Sequence, residues 1–237
     1  MSSKKEEQRR IREEKQQQAK QRAKVLGIAW KLALVVLVPL VVVVLLQGLR
    51  SNAQLVSPAV VSADDHVRGS ADAPVTLVIY GDFQCPACRE GADVFARAWA
   101  RIGSSVQMVF RHYPLDSHRH SHLAARYAEA AGRQETFWPM HDMLYANQAL
   151  WSASSDPRAV FDGFAIDLGL DLERLQEDLS LQEVQDKIRA DQRGGTRAGV
   201  RATPSLFING RPAVTPRTAV ELEALVTREL RRIQGEA

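Results

Sequence analysis

The 237-residue sequence predicts an α/β domain that follows a membrane-spanning segment. Residues 25–46 form a long apolar stretch, predicted strands and helices alternate from residue 74 onward, and a block of helices at about 115–198 interrupts that alternation. Strands that alternate with helices are typical of a sheet with helices packed on its faces. We therefore expect four parts: a charged tail (1–24), an anchor (25–46), a tether (47–73) and one folded domain (74–237).

The apolar segment is long enough to cross a bilayer. Lys31 is its only charge, and about twenty apolar residues span the hydrocarbon core. Pro39 is tolerated in a membrane helix as a kink. A cleaved signal peptide is the alternative, because Ser51–Ala53 is a small-residue cleavage sequence, but signal peptides have shorter basic and apolar regions. We expect an uncleaved single-pass anchor in the cell membrane.

The charge distribution predicts how this anchor is oriented. Residues 1–24 carry nine Lys/Arg and four Glu, whereas only Arg50 closely follows the span. Basic flanks remain in the cytoplasm, so we expect a cytoplasmic N-terminus and an extracytoplasmic domain. Residues 32–237 carry 21 Lys/Arg and 24 Asp/Glu, a net charge of about −3. The basic tail fits an anionic lipid surface, and we expect no nucleic-acid partner.

The first elements of the domain form a β-α-β unit. Val75–Tyr80 is apolar on both faces and is bounded by proline and glycine, as is typical of a buried central strand. A helix is predicted to begin at Cys85, with Pro86 at its first position, and to run to about Arg101. Val106–Phe110 is the second predicted strand.

The remaining elements are a helical block and a final β-β-α unit. A strand is predicted at Ser205–Ile208, followed by a turn at Asn209-Gly210 and a short strand at Pro212–Val214. The last helix is predicted to begin at Thr215-Pro216. The helical patterns within the block are residues 123–131, 137–144 and 171–188.

The only two cysteines, Cys85 and Cys88, form a C-P-A-C sequence where the first strand leads into the first helix. Such a pair indicates a thiol–disulfide redox site. A structural disulfide would close a tiny loop and stabilise little. A zinc site normally needs four Cys or His ligands, and the chain has no second Cys pair. Redox chemistry is favoured, and both alternatives remain open at this point.

Across residues 65–233 the chain resembles the DsbA-like thiol–disulfide oxidoreductases. This resemblance implies a thioredoxin-like fold with an inserted helical subdomain, no cofactor beyond the cysteine pair, and no metal. It rests on the order of the elements and on six local sequences: Asp65–Gly69, Ala73–Val78, Gly81–Cys88, Phe137–Asp142, Gly199–Ser205 and Phe207–Gly210.

The resemblance implies a role for each residue near the cysteine pair. Cys85 is the nucleophile, Cys88 is the resolving thiol, and the two form the redox disulfide. The N-terminus of a helix lowers the pKa of a thiol, which favours the Cys85 thiolate. Phe83, Pro86 and Ala87 support the active site.

Thr203-Pro204 is the predicted substrate-binding pair. Only about 5–6% of X-Pro bonds in folded proteins are cis, so the sequence alone favours a trans bond. The resemblance instead implies a cis bond that places Thr203 beside Cys85. There its backbone could pair with an extended substrate segment, as in strand addition.

Two residues depart from the pattern of the family. Ile79 stands six positions before Cys85, where a buried Glu or Asp usually helps to move the proton of the resolving thiol. Ala87 stands before Cys88, where strongly oxidising members have His. A thiolate with fewer partners makes a less oxidising disulfide. We therefore expect thiol exchange without strong oxidising power.

The histidines allow an alternative interpretation. Five of them lie near the predicted site or in the helical block: His112, His118, His120, His122 and His141. A copper- or zinc-handling module would use the cysteines with residues 118–122, although no carboxylate cluster accompanies them. A second alternative is a non-catalytic chaperone or interaction domain on the same fold.

We expect an enzyme, a membrane-anchored thiol–disulfide oxidoreductase. Its expected substrates are exported proteins with cysteines, and its second partner is a membrane redox protein that the sequence does not identify. An exported dithiol faces an oxidising compartment. Oxidation, reduction and isomerisation all remain open as the direction of exchange.

Overall fold

The computed structural model describes residues 37–39 and 58–235. The chain divides into two units, residues 1–54 and 55–237. The predicted tail, the predicted anchor and the first part of the predicted tether lie outside the described residues, apart from a helical piece at 37–39. Within the described residues, no helix is both long and apolar enough to span a membrane.

The second unit is built on a five-stranded sheet of order β1-β3-β2-β4-β5. The neighbours β2 and β3 run parallel, and the other neighbouring pairs are antiparallel. The central strand is apolar on both faces, because Val75 and Leu77 enter one core and Val78 and Tyr80 enter another. The strands are β1 (His66–Arg68), β2 (Val75–Gly81), β3 (Val106–His112), β4 (Ser205–Ile208) and β5 (Arg211–Ala213).

Helices cover both faces of this sheet. The first and the last pack together on one face, where Phe95 and Leu222 share a core with Val75. A group of six lies between β3 and β4 in the sequence. The helices are α1 (Pro86–Ile102), α2 (Ser121–Gly132), α3 (Phe137–Ala146), α4 (Gln148–Ser152), α5 (Arg158–Asp167), α6 (Leu172–Asp178), α7 (Gln182–Arg197) and α8 (Ala219–Gln234).

The core of the helical group reaches the cysteine pair. Trp151 and Phe161 are fully buried at its centre, with ring centroids 5.2 Å apart. Phe83, Cys85 and Cys88 belong to the same buried cluster. The cysteine pair therefore lies at the junction of the sheet and the helical group.

The structure confirms the α/β architecture and the helical block between the strands. The turn at Asn209-Gly210 joins β4 to β5, with positive φ angles of 45° and 77°. The prediction for the last helix was wrong: the helix begins at Ala219, not at Thr215-Pro216. Thr218 caps it, because its hydroxyl oxygen accepts a hydrogen bond from the backbone of Glu221. β1 lies in the segment predicted as a tether, and β5 begins one residue earlier than predicted.

Candidate active site

The sheet brings two distant segments together at the end of β2. β4 lies antiparallel beside β2, with Tyr80 opposite Ser205. The chain that leaves β2 therefore reaches Cys85 next to the Thr203-Pro204 segment that enters β4. The Cys85 sulfur lies 3.5 Å from the Thr203 carbonyl oxygen. The predicted catalytic and substrate-binding pairs thus lie in one site.

Asp82, which was not among the predicted site residues, anchors the loop between β2 and α1. Its carboxylate accepts hydrogen bonds from the backbone N–H groups of Gln84 at 2.8 Å and Leu115 at 2.9 Å. It also pairs with His118 Nδ1 at 2.7 Å. An Asp that bonds the N–H two residues later forms an Asx turn, so Gly81-Asp82 after a strand was a usable sequence signal.

Gln148 on α4 is a second anchor that was not predicted. Its side-chain amide donates to the carbonyl oxygens of Phe83 at 2.7 Å and Cys85 at 2.9 Å. The Phe83 ring is buried and stacks on Phe110 with centroids 5.2 Å apart. Phe83 therefore fixes the loop through its packing, and Gln148 fixes it through hydrogen bonds.

Cys85 is the N-cap of α1, and Pro86 occupies the first helical position. The pKa of Cys85 is lowered to about 5, chiefly by a hydrogen bond from the Cys88 thiol. The Thr203 side chain and the backbone N–H groups of Cys88 and Ala87 lower it further, while burial opposes the shift. The Cys85 sulfur is therefore mostly thiolate at neutral pH, the form that acts as a nucleophile.

Cys88 has the opposite environment one turn into α1. Burial raises the pKa of its thiol far above the ordinary range, and the nearby Cys85 sulfur raises it further. The backbone N–H of Asp82 faces its sulfur at 3.5 Å. Both cysteines are free thiols in this structure. The pair thus consists of one acidic thiol and one that keeps its proton.

Thr203 faces both thiols. The Thr203-Pro204 peptide bond is cis. Among the described residues, the buried Thr203 hydroxyl has no hydrogen-bond partner within bonding distance. The same side chain lowers the pKa of Cys85 and of Cys88, so this hydroxyl can donate a hydrogen bond to either sulfur when that sulfur is a thiolate.

Thr203→Val should therefore raise the pKa of Cys85 by about one unit, since the valine methyl cannot donate to the thiolate. Thiolate absorbance followed against pH measures this value, and the wild-type midpoint is expected near pH 5. Thr227→Val is the matched control, because Thr227 is exposed on α8. A Thr203→Val midpoint equal to that of the wild type would contradict this role of the hydroxyl.

The histidine run does not converge on the cysteines. His118 bonds the Asp82 carboxylate, and His120 Nε2 lies 2.8 Å from the Ser154 carbonyl oxygen. The His122 side chain is 54% exposed. Because the three rings have different partners, they do not form one ligand set with the cysteine pair.

A different group, His66, His112 and Glu129, has potential metal-ligating atoms within 4.8 Å of one another. Both imidazole Nε2 atoms contact the same Glu129 oxygen, at 2.9 and 2.7 Å. Two ligands of one tetrahedral zinc ion lie about 3.3 Å apart, given metal–ligand distances of about 2.0 Å. The shorter separations are those of hydrogen bonds. Although burial opposes it, these two hydrogen bonds hold the pKa of Glu129 well below its usual range.

The family model described as thioredoxin (Thioredoxin_4) matches residues 62–228. This range contains the whole site and every element of the sheet.

The chain also matches curated relatives named Na(+)/H(+) antiporter NhaA. The protein from Salinispora arenicola is 42% identical over 148 residues, which cover 62% of this chain and 22% of the relative. The protein from Herminiimonas arsenicoxydans is 36% identical over 157 residues, which cover 66% of this chain and 24% of the relative. The chain thus spans about a quarter of the length of these relatives.

Solved structures share the fold. A thioredoxin-like oxidoreductase from Silicibacter pomeroyi DSS-3 has a TM-score of 0.61 and 25% identity, covering 72% of this chain and 94% of that chain. BdbD from Bacillus subtilis has a TM-score of 0.62 and 24% identity, covering 71% and 94%. Alpha-DsbA1 from Wolbachia pipientis has a TM-score of 0.64 and 19% identity, covering 75% and 97%. With its cysteine pair at the start of α1 and its helical group between β3 and β4, the chain belongs to the DsbA-like family of the thioredoxin fold.

Proposed function

We propose that this protein is a membrane-anchored, extracytoplasmic thiol–disulfide oxidoreductase that exchanges disulfides with cysteines of exported proteins. Cys85 is the nucleophile, and Cys88 resolves the mixed disulfide. The observation that carries the proposal is the contrast within the pair: the pKa of Cys85 is lowered to about 5, while burial raises that of Cys88. Cys85 can therefore attack as a thiolate in the first step, while Cys88 keeps its proton until the second step.

The exchange proceeds through two linked displacements. The Cys85 thiolate attacks one sulfur of a substrate disulfide, and the other substrate sulfur leaves as a thiolate that takes a proton from solvent. Cys88, once deprotonated, attacks the Cys85 sulfur and releases the second substrate thiolate. The substrate is reduced, and the pair becomes a disulfide. The reverse sequence oxidises a substrate dithiol.

The pKa of Cys85 bears on the direction of exchange. A value of about 5 lies between the roughly 7 of thioredoxin and the roughly 3.5 of DsbA. We expect a reduction potential between their values of about −270 and −120 mV. Ala87 is exposed beside Cys85 and gives the thiolate no side-chain donor, in keeping with an intermediate potential. Equilibration with glutathione measures it.

The proposed location and substrates are supported by the sequence. The apolar segment 25–46 and the basic residues before it support a cytoplasmic N-terminus and an exported domain. An exported dithiol meets translocated chains whose cysteines are still reduced. The Thr203 backbone beside Cys85 offers an extended substrate a place to pair. A membrane redox protein would restore the cysteine pair after each turnover.

Cys88→Ala should trap the substrate, because the mixed disulfide at Cys85 then has no resolving thiol. The full-length variant in detergent is incubated with oxidised exported proteins and, after Cys85 has been converted to a mixed disulfide with glutathione, with reduced ones, so that in each case one partner supplies the disulfide. Adducts that dithiothreitol releases are expected on non-reducing gels. The double variant Cys85→Ala/Cys88→Ala is the control and should give none. If Cys88→Ala forms no adduct with either form of substrate, the proposed function is wrong.

A further inference from the structure

The resolving step needs a base near Cys88. Cys88 attacks only as a thiolate, yet burial raises the pKa of its thiol far above the ordinary range. A carboxylate at position 79 would accept this proton, but the residue there is Ile79. The side chain is half-buried and lines the same cavity as Cys88. The proton therefore needs another acceptor.

This cavity has a volume of about 50 Å³ and adjoins Cys88. Its polar lining includes His141, Asp142 and Tyr145 of α3 and Arg68 of β1. A space of this size with several polar partners has room for a small number of water molecules. Cys88 and these four groups therefore line one cavity, the rest of whose lining is mostly apolar.

His141 is held with one ring nitrogen available as an acceptor. Its Nδ1 lies 2.8 Å from Asp142 Oδ1, and Arg68 donates to Asp142 Oδ2 at 2.6 Å. The carboxylate contact assigns the proton to Nδ1, which leaves a lone pair on Nε2. The ring packs against Phe110 and Tyr145, with centroids 4.9 Å from each. Packing and the carboxylate together fix the orientation of the imidazole.

The surroundings keep this imidazole neutral. Burial lowers the pKa of His141, and the neighbouring Arg68 and His112 lower it further, while Asp142 opposes the shift. A neutral imidazole at neutral pH can accept a proton. The titratable and charged groups that face it are Asp142 and Tyr145 from α3, Arg68 from β1, His112 from β3 and Cys88 from α1.

We propose that His141 accepts the proton of Cys88 across this cavity, with Tyr145 and cavity water connecting the two and Asp142 as a positioning residue. The inference rests on the proposed function, because it concerns the resolving half of the same exchange. It assigns to a histidine on α3 the task that a carboxylate at position 79 would perform.

The atoms and charges of this step balance. The Cys88 proton moves to His141 Nε2 as the Cys88 sulfur attacks the Cys85 sulfur. The bond between Cys85 and the substrate breaks, and the substrate leaves as a thiolate that takes a proton from solvent. His141 then passes its proton to solvent near Asp142, whose side chain is 54% exposed. In the oxidising direction His141 returns a proton to Cys88 as that sulfur leaves.

Two other groups near Cys88 are weaker acceptors. The Asp82 carboxylate already receives hydrogen bonds from two backbone N–H groups and pairs with His118, so its oxygens are occupied by other partners. The pKa of Tyr145 is raised well above its ordinary range, first by burial and then by Cys88 and Asp82, so its hydroxyl keeps its proton. Tyr145 can pass a proton along but does not hold one as a base.

Rapid mixing of the reduced full-length protein with an equimolar aromatic disulfide separates the two steps. The first coloured thiolate reports attack by Cys85, and the second reports resolution by Cys88. His141→Gln should leave the first phase unchanged and slow the second about a hundredfold at neutral pH. The rate constant of the second phase in the wild type should change little from about pH 7 to about pH 9. In His141→Gln this rate constant should rise about tenfold per pH unit, because hydroxide then removes the proton of Cys88.

Two further variants make the result decisive. His120→Gln removes another buried histidine, whose ring faces Ser154 instead of the cavity, and both of its phases should match the wild type. Asp142→Asn alters a half-exposed side chain, so it tests the relay even if His141→Gln does not fold, and its second phase should also slow and become pH-dependent. A wild-type second phase and pH profile in Asp142→Asn and in folded His141→Gln would overturn the inference. Absence of the first phase in the wild type would overturn the proposed function instead.

Discussion

Cys85→Ser is expected to lower the rate of disulfide exchange by roughly a thousandfold or more. The lowered pKa of about 5 makes Cys85 mostly thiolate at neutral pH. A serine hydroxyl at the same N-cap has no base to remove its proton, and it cannot form a disulfide. Reduction of an insulin disulfide by the full-length protein, with glutathione to regenerate the pair, measures the loss.

Cys88→Ser provides the matched control for this prediction. It should lose turnover as well, but it should still form one adduct with an aromatic disulfide at the wild-type rate, because Cys85 remains. Cys85→Ser should form that adduct at least about a thousandfold more slowly. If Cys85→Ser retained more than about a tenth of the wild-type rate, Cys85 would not be the nucleophile.

The sequence predicted the part of the site that depends on neighbouring residues. Pro86 at the first helical position and the apolar strand before Gly81 place Cys85 at a helix N-terminus, where the structure has it. The Asn209-Gly210 turn likewise follows from residues that tolerate positive φ angles. These features need only local preferences, and the local pattern is unambiguous there.

The parts that sequence reasoning missed depend on contacts between distant residues. Gln148 bonds the backbone of Phe83 and Cys85 more than sixty positions away, and nothing in its own neighbourhood marks it for that role. The alternating histidines suggested a shared ligand set. The chain turns at this point, which gives His118 and His120 separate partners. Pairings of this kind are set by the tertiary fold.

The burial of charged residues at the end of β3 is a second feature that the local sequence pattern did not predict. The predicted strand ended at Phe110, but β3 continues through Arg111 and His112, and both are buried. An arginine after an apolar run is normally read as the exposed end of a strand. Here Arg111 is tolerated because Asp65, in the predicted tether, forms a bidentate pair with it at 2.9 and 2.7 Å.

Asp65→Ala is expected to cost about 3–5 kcal/mol of unfolding free energy, since it removes the carboxylate that forms the bidentate pair with the buried Arg111 guanidinium. The side chains of Arg111 and Asp65 are 0% and 1% exposed. Lys187 lies 3.9 Å from the same carboxylate and pairs with Asp191 at 2.7 Å. Asp65 therefore offsets charge on both Arg111 and Lys187, and its removal weakens both interactions. Urea denaturation should show a lower midpoint with an unchanged slope.

Asp64→Ala is the matched control, because Asp64 is the neighbouring acidic residue and is exposed. Its free energy of unfolding should stay within about 0.5 kcal/mol of the wild type. Asp65→Leu/Arg111→Met should recover part of the loss, because removing both charges leaves neither unpaired and apolar groups of similar size suit a buried site. A loss below about 1 kcal/mol in Asp65→Ala would mean that water reaches Arg111 and that the segment before β1 is not held by this pair. A loss in the expected range would make that segment part of the folded domain, which then begins well before residue 74.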